Sequence, residues 1–110
     1  MASTSNSELA FTYSQQGVPI FVGQDYELWS VLMRTLFVSH ELWDIVEEGY
    51  EIYTPEEEAN LTAENKWEHK ENKTKDAKAL SFMHQGVSRS ILPRITGAKT
   101  SKDTWETLKK

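Results

Sequence analysis

Four tryptophans are spread along the 110 residues so that each falls in a different segment with helical character. They are Trp29, Trp43, Trp67 and Trp105. A tryptophan buries a large apolar area and prefers particular ring-to-ring geometries, so one per segment provides an anchor that fixes how helices pack. This distribution favours a small helical bundle. We interpret such a bundle first as a scaffold for binding and assembly, and only second as a scaffold for catalysis.

The chain length and the absence of cysteine narrow the class of protein further. A chain of 110 residues fits one domain that buries a core, and zero cysteines exclude disulfides, thiol chemistry and the commonest structural zinc ligands. No apolar run approaches the roughly 20 residues that span a bilayer, and the polar start lacks the basic and apolar regions of a signal peptide. We therefore expect a domain without metal or cofactor, located in the cytoplasm or also in the nucleus, with no membrane partner.

The net charge of −5 conceals a strong asymmetry along the sequence. Residues 1–65 hold one basic residue, Arg34, against twelve acidic ones, and residues 66–110 hold eleven basic residues against five acidic ones, giving formal charges of −11 and +6. These charges cancel internally if the two halves fold against each other, which is the commoner arrangement. If they lie on separate surfaces, head-to-tail self-association becomes favourable and builds rings or open lattices.

The first 17 residues differ in character from the rest of the chain. They are rich in Ser, Thr, Asn and Gln, which predicts a flexible arm over residues 1–17 and a folded domain over residues 18–110. The domain begins with a short apolar stretch bracketed by glycines, and Pro19 restricts the residue before it to extended conformations. We expect an extended lead-in that packs Ile20 or Phe21 onto the bundle.

The most regular helical pattern follows this lead-in. Asp25 is a predicted N-cap, and large apolar residues then recur at the i, i+3, i+4, i+7 and i+8 spacing of one helical face. These residues are Trp29, Leu32, Met33, Leu36 and Phe37. Ser39 is a predicted cap for a second, short helix that turns Trp43 and Val46 towards the core, with Gly49 at its end.

Two hydroxyl-capped starts predict a short element followed by a long helix. Thr54 precedes Pro55 and three glutamates, and Thr62 offers a second start with no proline or glycine until Gly86. The first half of that long helix has Trp67 as its only large apolar residue. We therefore expect this half to be largely exposed to solvent.

Residues 88–93 predict a further short helix, and Thr100 with Asp103 resembles a capping box at the start of the last helix. Because evidence for strands is nearly absent, the predicted class is all-α, a small bundle of about five helices with an extended N-terminal lead-in. The predicted core anchors are Phe21, Tyr26, Trp29, Leu32, Met33, Leu36, Leu42, Trp43, Val46, Leu80, Trp105 and Leu108.

No residue pattern in the chain supports catalysis. His40, His69 and His84 have neither a partner at i+4 nor cysteines to complete a zinc site, so each is predicted to be structural or at the surface. A glycine-rich phosphate loop is absent, and the acidic run at Glu47 and Glu48 has no neighbouring nucleophile. We therefore expect a protein that is not an enzyme, with no catalytic, cofactor-binding or metal site.

Lysines recur at three- and four-residue spacing along the long predicted helix. Lys66, Lys70, Lys73 and Lys78 are candidates for contact with phosphates or with an acidic protein, although nearby acidic residues make a solvated mixed-charge face the commoner outcome. Trp67 is predicted to reach the core or to form part of an interface, and the core is the favoured alternative. Trp67 and these lysines form the candidate interaction surface.

Four motifs follow one another in a fixed order along residues 18–110. They are Phe21-Val22-Gly23 with Tyr26 and Trp29, then LWDIVEEGY at 42–50, DAKAL at 76–80 and TSKDTWETL at 100–108. Each motif is weak alone, but the four in this order are fairly specific. In this pattern the chain resembles the N-terminal part of the Gag polyprotein of plant copia-type LTR retrotransposons, and Trp67 lies where that family tends to carry a tryptophan.

The resemblance implies a non-enzymatic domain like a retroviral-type capsid N-terminal domain, which associates with copies of itself into a shell that packages the element's RNA. We expect a homo-oligomer that is weak for this chain alone. The second capsid half and the zinc knuckle of such proteins lie beyond Lys110, so RNA is expected to bind only weakly or through a downstream region. Two alternatives remain open, namely a domesticated adaptor that binds a host protein and a weak nucleic-acid-binding module using the lysines of residues 66–78.

Overall fold

A computed structural model describes residues 11–110, and these form an all-α unit, as predicted. The helices are α1 (Tyr26–Ser39), α2 (Trp43–Glu48), α3 (Pro55–Ala59), α4 (Ala63–Gln85) and α5 (Ser101–Lys109), with a 3₁₀ turn at Leu92–Arg94. Within this part of the chain, extended pairing is limited to two isolated bridges. None of the helices in residues 11–110 is both long and apolar enough to cross a membrane.

The extended lead-in folds back on itself before it enters the bundle. Tyr13 pairs with Pro19 in an antiparallel bridge, and Phe21 pairs with Val87 after the end of α4. The Trp29 indole Nε1 donates a buried hydrogen bond of 2.9 Å to the Pro19 carbonyl oxygen. Within residues 11–17, which the sequence assigned to the flexible arm, Phe11 packs against the core and the Ser14 hydroxyl donates to Gln85, while the other side chains are exposed. Residues 1–10 of that arm lie outside the described part.

Gly86 permits the lead-in to cross the end of α4 at close range. A Cβ atom added to Gly86 would lie 3.1 Å from the Val18 Cγ1 atom and 3.2 Å from the Pro19 carbonyl oxygen. The backbone approach also allows the Phe21 amide to donate to the Gly86 carbonyl oxygen at 2.8 Å. Because Gly86 has no side chain, the lead-in can pack directly against the end of α4.

The first helix begins after Asp25, as predicted, but the junction at its end differs from the sequence prediction. Asp25 has a left-handed backbone (φ 57°, ψ 42°), and its side chain makes no capping hydrogen bond. Ser39 is the last residue of α1, and its hydroxyl donates to the Leu36 carbonyl oxygen at 2.7 Å. The chain then turns through Glu41 at φ 60° into Leu42, the N-cap of α2. Asp25 is therefore the N-cap residue, as predicted, although its side chain does not cap, whereas the predicted cap at Ser39 is wrong because α1 continues through Ser39 and a turn with positive φ at Glu41 leads into α2.

The hydroxyl caps further along the chain confirm the predicted helix starts. The Thr54 hydroxyl accepts from the Glu57 amide, and the Glu57 carboxylate accepts from the Thr54 amide, which completes a capping box. Thr62 and Thr100 each accept a hydrogen bond from the amide three residues ahead. These bonds satisfy amide groups that have no partner within the helix.

The predicted short helix over residues 88–93 is wrong. This stretch consists of turns that lead into the 3₁₀ turn at Leu92–Arg94, with Pro93 inside the turn and not at its end. An α-helix through Pro93 would place the proline ring against the carbonyl group of Arg89. The tighter 3₁₀ geometry avoids that clash and still packs Ile91 and Ile95 into the core.

Trp105 lies at the centre of the core and contacts aromatic residues from two other helices. Its ring stacks on Trp29 at 5.8 Å between centroids and packs edge-on against Phe37 at 5.9 Å and Trp43 at 5.5 Å. Arg34 covers the outer face of Trp43, with its Cζ atom 5.1 Å from the ring centre. Helices α1, α2 and α5 thus meet at one indole ring.

The predicted core anchors fall into two groups by exposure. Phe21, Trp29, Met33, Leu42, Val46, Trp105 and Leu108 are buried in the core. Tyr26, Leu36 and Trp43 are half-buried and pack against it, and Leu32 and Leu80 are half-buried. The half-buried residues lie at the edge of the buried face of each helix, next to the face that is exposed to solvent.

A buried carboxylate joins α5 to α4. The Asp76 Oδ1 atom accepts hydrogen bonds from the Ser101 amide at 2.8 Å and from the Ser101 hydroxyl at 2.6 Å. Asp76 is 4% exposed, so its charge depends on these donors and on the positive end of the α5 dipole. This contact fixes the start of α5, from which Trp105 extends into the core.

Replacing Trp105 is expected to destabilise the domain far more than replacing Trp67. Trp105→Ala removes a buried ring that three helices share, at a cost of about 3–5 kcal/mol in the free energy of unfolding. Trp67→Ala, a matched change at a side chain that is 64% exposed, should stay within about 0.5 kcal/mol. Urea denaturation followed by circular dichroism measures both, and similar losses for the two variants would contradict this assignment of the core.

Candidate interaction surface

Helix α4 changes character along its length. Its second half buries Asp76, Ala79 and Met83 against the rest of the domain. In its first half, residues 63–75, only His69 is buried, which confirms the predicted exposure of this half. Residues 63–75 are called the projecting half of α4 below.

His69 attaches the projecting half to the connection between α2 and α3. Its ring lies 4.8 Å from Tyr53 in an edge-on arrangement and 5.9 Å from Tyr50, and it is 7% exposed. Burial, and then the charge of Asp76, raises the pKa of Tyr50 above its ordinary value. The sequence placed His69 only as structural or surface, because its aromatic partners come from a segment with no regular periodicity.

A groove of about 900 Å³ separates α3 from the projecting half. Apolar atoms of Pro55, Ala59 and Ala77 contribute to its lining, and Lys66 and Lys70 lie along the α4 side. Lys73 and Glu58 also line it, with the lysine Nζ atom 4.0 Å from the glutamate Oε1 atom. Three of the four predicted lysines are thus brought to one surface, the α3–α4 groove, whereas Lys78 lies outside it.

Trp67 lies at the surface and not in the core, so the favoured of its two predicted positions is wrong. It lies two positions before His69, which corresponds to roughly 200° around a helix, and His69 points inward. Trp67 is therefore 64% exposed and lines a shallow depression that shares Lys70 and Thr74 with the α3–α4 groove. It remains a candidate contact residue.

The neighbouring flank of the projecting half, which adjoins the groove at His69, is acidic. Glu51, Tyr53 and Glu68 line a depression on this side, and the Tyr53 hydroxyl donates to a Glu51 carboxylate oxygen at 3.2 Å. Partial burial raises the pKa of Tyr53, and the hydrogen bond to Glu51 and the charges of Glu51, Glu68 and Glu57 raise it further. Beside these carboxylates, Ile52 is 62% exposed.

The acidic and basic halves of the sequence pack against each other through the aromatic core, but few ion pairs join them. Across residues 11–110, the pair Glu58 and Lys73 is the single ion pair within 4.0 Å that joins one half to the other. A second pair, Lys109 and Glu106, lies within the basic half. The two halves fold against each other, which is the arrangement that the favoured expectation of charge cancellation requires, while most of their charged side chains face solvent.

Neither a candidate metal site nor an unpaired buried polar side chain is present among the described residues. No group of three or more His, Asp or Glu side chains in this part of the chain is placed to hold a metal ion. Every buried side-chain nitrogen or oxygen among them has a hydrogen-bond partner. The described residues form a helical scaffold with charged and aromatic groups exposed at its surface.

Comparison with known families identifies the scaffold. A family model described as the gag-polypeptide of LTR copia-type matches residues 33–110, from within α1 to the end of α5. The chain therefore belongs to the copia-type LTR gag-polypeptide family, a structural and non-catalytic region of the Gag polyprotein. No curated protein and no solved structure matches the chain.

Proposed function

We propose that this domain is a non-enzymatic assembly unit of a Gag-like protein and associates with copies of itself into a capsid-like shell. The observation that carries the proposal is the projecting half of α4, which the family match includes. It presents Trp67 and exposed lysines that the core does not use. A helix that extends beyond its own core exposes surface suited to contact with another molecule.

A second exposed surface supports the same proposal. Leu28, Val31 and Val38 on α1 are 50%, 58% and 57% exposed, and their spacing places them along one side of the helix. A lattice needs more than one contact surface on each subunit. Individual contacts of this kind are small, and they hold an assembly together through their number.

The proposal predicts weak, reversible association in solution. In sedimentation velocity experiments, the weight-average mass should rise as the protein concentration is raised to the millimolar range. Added salt should lower it, because charges at the surface of the projecting half are screened within about 10 Å at 0.1 M salt. A strictly monomeric protein at millimolar concentration, at low and high salt alike, would exclude self-association of this domain.

Nucleic-acid binding is a second candidate function, and the lysines in the α3–α4 groove favour it. If Lys66, Lys70 and Lys73 each neutralise one phosphate of single-stranded RNA, the logarithm of the affinity should fall with the logarithm of the salt concentration with a slope of about −2. Lys66→Glu together with Lys70→Glu should reduce binding and flatten that slope. No measurable binding to an unstructured RNA at low salt would exclude this candidate.

A role as an adaptor for a host protein would use the same exposed region. Trp67 has the exposure and ring size that are typical of an interface anchor. We rank this role below self-association because the chain's own acidic flank and basic groove already complement each other in charge.

A further inference from the structure

We propose that the α3–α4 groove receives the acidic segment, residues 51–53, of a second copy of this chain. The inference rests on the proposed self-association, and it names the two surfaces that meet. The acidic segment provides carboxylate and apolar groups, and the groove provides ammonium and apolar groups in the same neighbourhood.

The groove has free positive charge beside apolar surface. Lys73 is near Glu58, whereas no carboxylate among residues 11–110 lies within 4.0 Å of the Lys66 or Lys70 ammonium group. Both of these lysines are exposed. A ligand suited to this site carries negative charge next to an apolar group, so that the lysines are neutralised while the apolar lining is covered.

The acidic segment has this composition. It is an extended stretch between α2 and α3, and both Glu51 and Ile52 are exposed. The 62% exposure of Ile52 has no explanation in the fold of a single copy, since the neighbouring His69, Tyr50 and Tyr53 pack without it. Docking would bury Ile52 against the apolar lining of the groove and bring Glu51 towards Lys66 or Lys70.

The positions of the two surfaces determine the kind of contact. Lys66 and Glu68 are two residues apart on α4, so they extend roughly 200° from each other around the helix. Glu51 lies on the flank of Glu68, and the groove lies on the flank of Lys66. The acidic segment leads through Thr54 into Pro55, which lines the groove, and the capping box of Thr54 holds this junction, so a chain cannot fold its own acidic segment into its own groove without breaking those bonds. Different surfaces that meet in this way form a heterologous contact, which repeats into rings or open arrays.

Exchange of the charges tests this contact. The groove variant carries Lys66→Glu and Lys70→Glu, and the segment variant carries Glu51→Lys and Glu68→Lys. Lys73 is left in place because it pairs with Glu58, and Glu57 is left because it completes the capping box of α3. Circular dichroism and thermal melting first establish that both variants fold like the natural chain.

Each variant alone should be monomeric at concentrations where the natural chain associates, because its two surfaces then carry charge of the same sign. An equimolar mixture should recover association. The acidic groove of the groove variant then meets the basic segment of the segment variant, and the basic groove of the segment variant meets the acidic segment of the groove variant. Ile52→Ser introduced into both variants leaves every charge unchanged and should weaken the mixed association by about tenfold or more.

A control with the same net charge separates this contact from a general effect of charge. Lys75→Glu with Lys78→Glu changes the net charge as much as the groove variant does, at lysines outside the groove. This control should associate as the natural chain does. If it loses association equally, or if the mixture of charge-exchanged variants stays monomeric, the inference is overturned.

The outcomes distinguish the contact from the proposed function. A natural chain that stays monomeric contradicts both. A natural chain that associates while both charge-exchanged variants still associate contradicts only the contact named here and leaves assembly to another surface, such as the α1 face. If these variants associate normally and the groove variant alone loses RNA binding, the groove is assigned to nucleic acid and not to a second copy.

Discussion

The stacking of Trp105 on Trp29 is the contact on which the arrangement of the helices depends. Through the same ring, α5 also meets Phe37 of α1 and Trp43 of α2, so three helices are positioned by one side chain. The hydrogen bonds from Ser101 to Asp76 then join the start of α5 to α4. Aromatic stacking and a satisfied buried carboxylate thus fix one end of the bundle without disulfides or metal.

The core packs around Trp105 and the second half of α4. The projecting half of α4 is therefore largely outside the core, and its side chains are available for contact with another molecule. The projecting half is attached mainly through His69 and its two tyrosine neighbours. A helix with so little buried surface contributes little to folding stability, and its exposed groups can change with less effect on the core. The basic groove and the acidic segment lie on neighbouring flanks that meet at His69, and no ion pair within 4.0 Å joins Glu51 to Lys66 or Lys70.

Much of this fold could be predicted from the sequence where the governing interactions are local. The spacing from Trp29 to Phe37 and the hydroxyl caps at Thr54 and Thr62 depend on neighbours within a few residues, and these predictions agree with the structure. The burial of His69, by contrast, depends on Tyr50 and Tyr53, which are distant in sequence. The position of Trp67 follows from that of His69, because the two side chains point to different sides of α4. The exposure of Trp67 could therefore not be predicted without the knowledge that His69 is the buried residue of this half. For the candidate site, the lysine spacing was visible, whereas the groove itself requires the placement of α3.

Amide hydrogen exchange at low and high protein concentration tests the central claim most directly. The account predicts strong protection at both concentrations in α5 and in the second half of α4, where the core is fixed. It also predicts protection that appears only at high concentration in residues 51–53 and around Lys66 and Lys70. Association without any gain of protection in these two regions, or with the gain confined to α1, would contradict the claim that the projecting half of α4 and the acidic segment form the contact between copies.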